Sequence, residues 1–294
     1  MSLPEDEGEI EASRAPLMDH LVELRGRLIV CAFALAAGFA LCFAFSSQMF
    51  ELLLRPLTLA SALLAEQKRA GHHGAFDLVL AVTGFHHVMA APQKMEVVFT
   101  GPLEFFFTKM KMSMFGAVAI TFPVLAWQLY RFVAPGLYRR ERNAFLPFLL
   151  ASPVLFVMGA SLVYFIMLPF VLWFSLSQQI ESVHYSVKLL PKVSDYLNLV
   201  MQLLLAFGLC FQLPVIVTLA GMAQLLHADT LSKGRRYAFV GIIVVAALVT
   251  PPDMVSPFLL AIPIYGLYEV SILCVRLIEA RRGRDENREL QATP

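Results

Sequence analysis

The sequence predicts an all-α membrane protein with six transmembrane helices. Of its 294 residues, 58% are hydrophobic and only 15% are charged, whereas soluble domains carry roughly 25% charged residues. Most of the apolar residues are gathered into runs close to the ~20 helical residues that cross the hydrocarbon core of a bilayer. The predicted spans are residues 28–45, 112–130, 145–173, 197–222, 237–249 and 257–275.

The chain ahead of the first span divides into a tail and a short helix. Residues 1–16 are acidic and poor in apolar side chains, which predicts a disordered, solvated tail. In Asp19–Leu28 the leucines share one helical stripe, and Glu23 precedes Arg27 by four residues, the favourable order for an ion pair. This pattern is typical of an amphipathic helix lying on a membrane surface. The alternative is an ordinary charged flank that orients the span.

The long connection at residues 46–111 is predicted to be a folded cap of several short elements, because its polarity is mixed. It opens with an apolar helical piece, Met49–Leu54, which is followed by Pro56. Thr100-Gly101-Pro102 predicts a turn before the second span.

The later spans carry breaks and differ in length. Three prolines predict kinks in run 145–173, and Pro214 lies near the middle of run 197–222. The fifth run has only 13 residues, about 20 Å of helix, and the sixth is also predicted to be short. The brief loop around Asp253 makes these two runs an antiparallel hairpin.

The distribution of basic residues predicts the orientation. Of the 23 Lys and Arg residues, 15 fall in the two termini and the second and fourth loops. The positive side of a membrane protein is the cytoplasmic side, so both termini are predicted to be cytoplasmic. The membrane domain then covers residues 17–278, and residues 279–294 form a cytoplasmic tail.

Four polar positions are candidates for function, and each has a simpler alternative. Glu141 lies among arginines after the second span and could receive a cationic ligand or simply pair with its neighbours. Gln212, inside a span, either forms hydrogen bonds that hold neighbouring helices together or belongs to a polar patch. Asp253 is most simply a helix cap. Glu269 is expected to pair with Arg276 near the cytoplasmic surface.

No residue pattern predicts an enzyme or a cofactor. The sequence has no phosphate-binding loop, no GxSxG or HExxH motif and no paired catalytic carboxylates. The pairs His72-His73 and His86-His87 lack nearby cysteines or clustered carboxylates, so no metal site is predicted. The four cysteines lie in apolar runs and are predicted to be thiols. Nothing in the sequence predicts nucleic-acid binding.

Four stretches of this sequence together resemble the signature motifs of one family. They are HLVELRGRL at 20–28, FVAPGLYRRER at 132–142, FGLCFQLPV at 207–215 and LVTPPDMVSPFLLAIPIYGLYE at 248–269. In this order they resemble the TatC family, the integral core subunit of the twin-arginine protein translocase. Residues 61–92 look longer or more divergent than in a usual member.

The resemblance implies a concave, glove-like bundle of six spans with both termini in the cytoplasm of the bacterial inner membrane. It implies that Glu23 and Glu141 are recognition carboxylates for twin-arginine signal peptides, with Arg25 and Phe132 in the same motifs. Pro56 and Asp253 match outer-side positions linked to scaffold shape or function. Many members carry Glu where this chain has Gln212, whose neutral amide can form hydrogen bonds but cannot provide charge.

The same resemblance implies partners and an energy source. Single-span TatA-like and TatB-like proteins would be partners, with Ala246-Ala247-Leu248 as a docking edge, alongside membrane lipid and self-association. Export of folded precursors would use the proton-motive force. The alternatives are a secondary transporter for a small molecule or an ion, built on Gln202, Gln212 and Glu269, or a non-transporting scaffold.

Overall fold

The chain folds mainly into α-helices, as the sequence predicts. The computed structural model describes residues 5–70, 97–133, 139–181, 186–187, 190–222, 224–249 and 256–292. Its helices are α1 (Glu5–Ala44), α2 (Ser46–Ala70), α3 (Glu104–Val133), α4 (Arg139–Leu162), α5 (Leu168–Ser177), α6 (Val193–Cys210), α7 (Leu213–Met222), α8 (Ala228–Lys233), α9 (Arg235–Val249) and α10 (Ser256–Ala292). A π-helical segment, Val163–Met167, joins α4 to α5. Two short strands, β1 (Ile180–Glu181) and β2 (Ser186–Val187), pair antiparallel.

Within the described residues, five helical stretches are long and apolar enough to cross a membrane. They are Val22–Ala44, Glu104–Arg131, Leu150–Ser177, Val193–Met222 and Leu260–Ala280. The predicted fifth run is helix α9, whose 15 residues give about 22 Å of helix. The prediction of a short sixth span is wrong, because its apolar part has 21 residues. The six-span count, the glove-like shape and the cytoplasmic termini stay predictions.

Both chain ends are more helical than predicted. Helix α1 begins at Glu5, within the stretch predicted to be disordered, and α10 continues to Ala292 through the predicted tail. The end of α10 is rich in Arg, Glu and Gln, which have high helix propensity.

The long connection opens with a helix of 25 residues, where a short helical piece was predicted. Helix α2 runs from Ser46 through Pro56 to Ala70. The predicted turn before the second span is confirmed, because the amide of Glu104 donates to the carbonyl of Gly101 at 3.2 Å. The remainder of the connection, including both histidine pairs, lies outside the described residues.

Helices α1 and α3 pack antiparallel and define two ends of the bundle. Arg27, early in the α1 span, reaches Gln128 near the end of α3, whereas Phe43 near the end of α1 contacts Lys109 early in α3. We call these ends the Arg27 face and the Lys109 face. Tyr130 of α3 packs with Met222 of α7 and Ile278 of α10, so these helix ends also lie at the Arg27 face.

The core lies where α4 packs on α6 and α5 packs on α2. A Cβ on Gly208 would lie 2.5 Å from a ring carbon of Phe156, and one on Gly159 would lie 2.7 Å from the ring of Phe211. Each glycine thus accepts an aromatic ring from the opposite helix, so the two backbones approach closely. Phe156 also stacks on Phe122 of α3, with 4.2 Å between the ring centroids.

The fourth apolar run is interrupted beside this core. Helix α6 ends at Cys210 and α7 begins at Leu213. Pro214 has no amide hydrogen to donate to the carbonyl of Cys210, so the helix cannot continue regularly through this point. Gln212 lies in the break, and the structure therefore presents its side chain between helices.

Candidate functional site

Glu23 lies at the Arg27 face, and its carboxylate is partly exposed. Arg27 donates to Oε1 of Glu23 through Nη2, so the predicted ion pair is confirmed. Through Nη1 the same guanidinium donates to the backbone carbonyl of Gln128 at 3.3 Å. The side chain of Arg27 is 14% exposed and that of Glu23 is 42% exposed. Arg27 therefore fixes the carboxylate against α3 and leaves it accessible to a ligand.

The other predicted recognition residues are carried by neighbouring parts of the same helices. Arg25 is exposed on α1, one helical turn before Leu28. Phe132 belongs to the last turn of α3, four residues after Gln128, and Glu141 belongs to the first turn of α4. The side chains of Phe132 and Glu141 lie outside what the structure describes.

Gln212 makes a closed pair of hydrogen bonds with Ser152 of α4. Ser152 Oγ donates to Oε1 of Gln212 at 2.6 Å, and Nε2 of Gln212 donates to the Ser152 carbonyl at 2.9 Å. Both side chains are buried. The arrangement ties α4 to the break between α6 and α7. Sequence reasoning missed Ser152, whose signal was a hydroxyl group inside an apolar run.

Glu269 pairs with Arg235, so the prediction of Arg276 as its partner is wrong. Nη2 of Arg235 donates to Oε2 of Glu269 at 2.8 Å, and the Tyr265 hydroxyl donates to Oε1 at 2.9 Å. Arg276 instead donates to the hydroxyl of Ser232 at 2.8 Å. Seven residues of helix separate Glu269 and Arg276, about 10 Å along the axis, which is too far for contact. The start of α9 is close enough because it packs on α10.

Pro56 lies inside α2, where the hydroxyl of Tyr164 compensates for its missing amide hydrogen. Without that donor, the carbonyl of Leu52 has no partner four residues later. Tyr164 donates to this carbonyl at 2.8 Å, and Tyr196 donates to the next one, that of Leu53, at 2.7 Å. The buried proline therefore coincides with the point where α2 is attached to the bundle. Sequence reasoning identified Pro56 and missed both tyrosines.

The polar residues of the transporter alternative each have a different environment. Gln202 is exposed on α6, Gln212 bonds to Ser152, and Glu269 bonds to Arg235 and Tyr265. Asp253 lies outside the described residues. In the contacts that the structure describes, each of these groups bonds to its own neighbours. These contacts do not support a shared polar path for a transported molecule or ion.

Comparison with known proteins identifies the family. The family model described as Sec-independent protein translocase protein (TatC) matches residues 19–263. The TatC protein of Magnetococcus marinus is 38% identical over 276 residues, which are 94% of this chain and 89% of that protein. The TatC protein of Escherichia coli K12 is 31% identical over 274 residues, 93% of this chain and 92% of its own length.

A solved structure agrees with these sequence relatives. The crystal structure of the twin-arginine translocase receptor TatC covers 88% of this chain and 98% of its own, with a TM-score of 0.66 and 31% identity. A second crystal structure of the same receptor in the detergent DDM gives a TM-score of 0.67. With several apolar helices and a family match over most of its length, this chain is a multi-pass membrane component of a protein translocase and not an enzyme. It belongs to the TatC family of the Sec-independent, twin-arginine protein translocation system.

Proposed function

We propose that this protein is the receptor and assembly core of a twin-arginine translocase in the bacterial inner membrane. It binds the twin-arginine signal peptides of folded precursors at the Arg27 face, which is cytoplasmic. The single observation that carries this proposal is the carboxylate of Glu23. It is 42% exposed, and Arg27 positions it at the start of the apolar span of α1.

The chemistry of the proposed recognition follows from the shape of the two groups. A guanidinium presents parallel N–H donors that match the two oxygens of a carboxylate, and such charge-assisted pairs are stronger than neutral hydrogen bonds. Glu23 would receive one arginine of the signal peptide and Glu141 the other, with Arg25 and Phe132 lining the same surface. Lysine lacks the planar donor pair, which gives the receptor its preference for arginine.

The course of the chain supports a shared surface for these residues. Gln128, which Arg27 contacts, is followed in the same helix by Phe132, and α4 begins six residues after α3 ends. The connection is too short to cross a membrane. The start of α4, with Glu141, therefore belongs to the same membrane side as Glu23.

Site-specific crosslinking of a twin-arginine signal peptide to the full chain in membranes tests the receptor role. Glu23→Gln and Glu141→Gln are each expected to reduce crosslinking about tenfold, because a charge-assisted hydrogen bond is lost. Asp229→Asn is the matched control, since Asp229 is an exposed carboxylate on α8 at the same face. Unchanged crosslinking in both glutamate variants would contradict the proposal.

We further propose that α9 is the docking edge for TatA-like or TatB-like single-span helices, whose assembly is driven by the proton-motive force. Leu248 is 77% exposed and Val240 is 59% exposed, whereas Ala246 is fully buried. One side of this short helix thus packs on the bundle while the other is free for a partner helix. Small residues such as Ala247 permit close helix contacts.

Disulfide crosslinking tests this edge in a variant that lacks the four native cysteines. Leu248→Cys should crosslink to a cysteine in the span of the partner. Leu150→Cys, at a 66% exposed position on α4, should not. Equal crosslinking from both positions would indicate random collision in the membrane and would exclude α9 as a specific edge.

A further inference from the structure

A small pocket of about 130 Å³ lies at the Lys109 face, between α2, α3 and α6. This is the end of the bundle opposite to Glu23 and Arg27, so the pocket is separate from the proposed signal-peptide site. Its lining combines one cation, three hydroxyl groups and four apolar side chains. The residues are Ser46, Ser47, Phe50, Phe105, Thr108, Lys109, Met112 and Leu197.

The charge of the pocket lining is positive. Lys109 provides an ammonium group whose Nζ lies 5.0 Å from the centroid of the Phe43 ring. No carboxylate occurs among the described residues that line the pocket. Glu104, one turn earlier in α3, accepts hydrogen bonds from Thr100 and Gly101 and lies 3.5 Å from Lys192. The nearest acidic residue of the helix is therefore engaged by other groups, and the lining favours an anion.

The hydroxyl groups add hydrogen-bond donors beside this ammonium. Ser46 and Ser47 begin α2, and Ser46 is only 2% exposed. The hydroxyl of Thr108 already donates to the Glu104 carbonyl at 2.8 Å. The donors available to a ligand are thus Lys109 and the two serines. A phosphate group, with several acceptor oxygens and a negative charge, matches this set of donors.

The apolar part of the pocket indicates where this phosphate comes from. Phe50 and Phe105 meet edge to face at 5.6 Å and form one wall together with Met112 and Leu197. From Lys109 into the span the surface of α3 is apolar and open: Met110 is 38% exposed and Met114 is 53% exposed. Free phosphate gains nothing from such a surface, whereas the acyl chains of a lipid would cover it.

We propose that this pocket binds the phosphodiester group of an anionic phospholipid from the surrounding leaflet. Lys109 and the hydroxyls of Ser46 and Ser47 hold the phosphate, and the acyl chains extend toward the bilayer centre along Met110 and Met114. Lys109 begins the second turn of a spanning helix, close to the depth at which headgroups lie. Free inorganic phosphate shares the recognised chemistry but lacks the chains.

Native mass spectrometry of the full chain in detergent tests this site, with phosphatidylglycerol and phosphatidylcholine as probes. Lys109→Gln is expected to weaken phosphatidylglycerol binding about tenfold, the effect of losing one charge-assisted hydrogen bond. Lys111→Gln is the matched control, since Lys111 is exposed on the same helix outside the pocket. Lys109→Arg keeps the charge and should keep binding.

Three outcomes would overturn the proposal. Equal phosphatidylglycerol binding by Lys109→Gln and Lys111→Gln would show that the pocket is not the site. Equal retention of phosphatidylcholine and phosphatidylglycerol by the unsubstituted protein would show that charge does not select the lipid. Displacement of phosphatidylglycerol by excess inorganic phosphate would show an anion site without a lipid component.

Discussion

The span of α1 and the span formed by α6 and α7 are both apolar, yet the bundle uses them differently. In the most apolar window of each, 11% of the α1 residues are buried, against 56% for the α6–α7 span. Helix α1 packs mainly on α3, whereas α6 contacts α3, α4 and α9, and α7 contacts α4 and α10. The difference separates two roles in the described part of the chain: α6 and α7 hold the bundle together, whereas most of the surface of the α1 span is left uncovered.

The contacts of the two spans also differ, and the α6–α7 span is again the more tightly packed one. The α6–α7 span combines glycine–aromatic contacts with the buried Gln212–Ser152 pair. Helix α1 depends on close approach of small residues, with Gly38 against Ala117 and Thr121, and on one partly exposed ion pair. Substitutions in the central span should therefore cost stability, and those at the start of α1 should change function and leave stability nearly intact.

The largest loss of stability is expected for Gly208→Ala. Its new methyl group would lie 2.5 Å from the ring of Phe156, which is itself stacked on Phe122. Overpacking of this kind costs about 1–3 kcal/mol of unfolding free energy. Thermal unfolding in detergent measures the effect, with Gly26→Ala on α1 as control, because nothing lies within 4 Å of the added carbon there. Equal melting temperatures for the two variants would remove the distinction between the spans.

A loss of comparable size is expected for Ser152→Ala. The substitution leaves Oε1 of the buried Gln212 amide without its donor, which costs about 1–3 kcal/mol. The double variant Ser152→Ala with Gln212→Met removes both polar groups and should be less destabilised than the sum of the single variants. Gln202→Met, at an exposed position of α6, is the control. Strict additivity in thermal unfolding would show that the two side chains are not coupled.

Contacts within one helix and contacts between helices differ in how well the sequence predicts them. The membrane class, the helical runs and the Glu23–Arg27 pair follow from composition and spacing within one helix. Three of these contacts join residues that lie 34 to 112 positions apart in the chain: Ser152 with Gln212, Arg235 with Glu269, and Tyr164 with Leu52. No local pattern specifies them, because they depend on which helices pack together.

Helix ends were predicted least well, for a related reason. A helix through Pro56 loses a hydrogen bond, so local rules end it there. The hydroxyls of Tyr164 and Tyr196 satisfy the carbonyls of Leu52 and Leu53, and α2 continues to Ala70. Of the candidate site, the sequence predicts the location of Glu23 and its partner, and the recognition role proposed for Glu23 comes from the family resemblance.

A smaller loss is expected for Gly38→Ala in the α1 span. Its added methyl group would lie 2.9 Å from Cγ2 of Thr121 and 3.3 Å from the Ala117 backbone, so some movement is required. Helix α1 can move away because its other sides are open, and we expect about 1 kcal/mol, the low end for overpacking. A loss as large as that of Gly208→Ala, measured by the same thermal unfolding, would mean that α1 is as firmly held as α6.

The smallest effect on stability is expected for Arg27→Gln. A partly exposed ion pair between residues four apart in a helix contributes about 0.3–0.5 kcal/mol, and the bond from Arg27 to Gln128 is long at 3.3 Å. Thermal unfolding should therefore change little, and added salt should reduce the difference from the unsubstituted protein further. Glu23→Gln should behave alike in unfolding and still lose crosslinking to the signal peptide. If either variant instead unfolds as readily as Gly208→Ala, this pair is part of the core, and a loss of crosslinking could not be assigned to recognition.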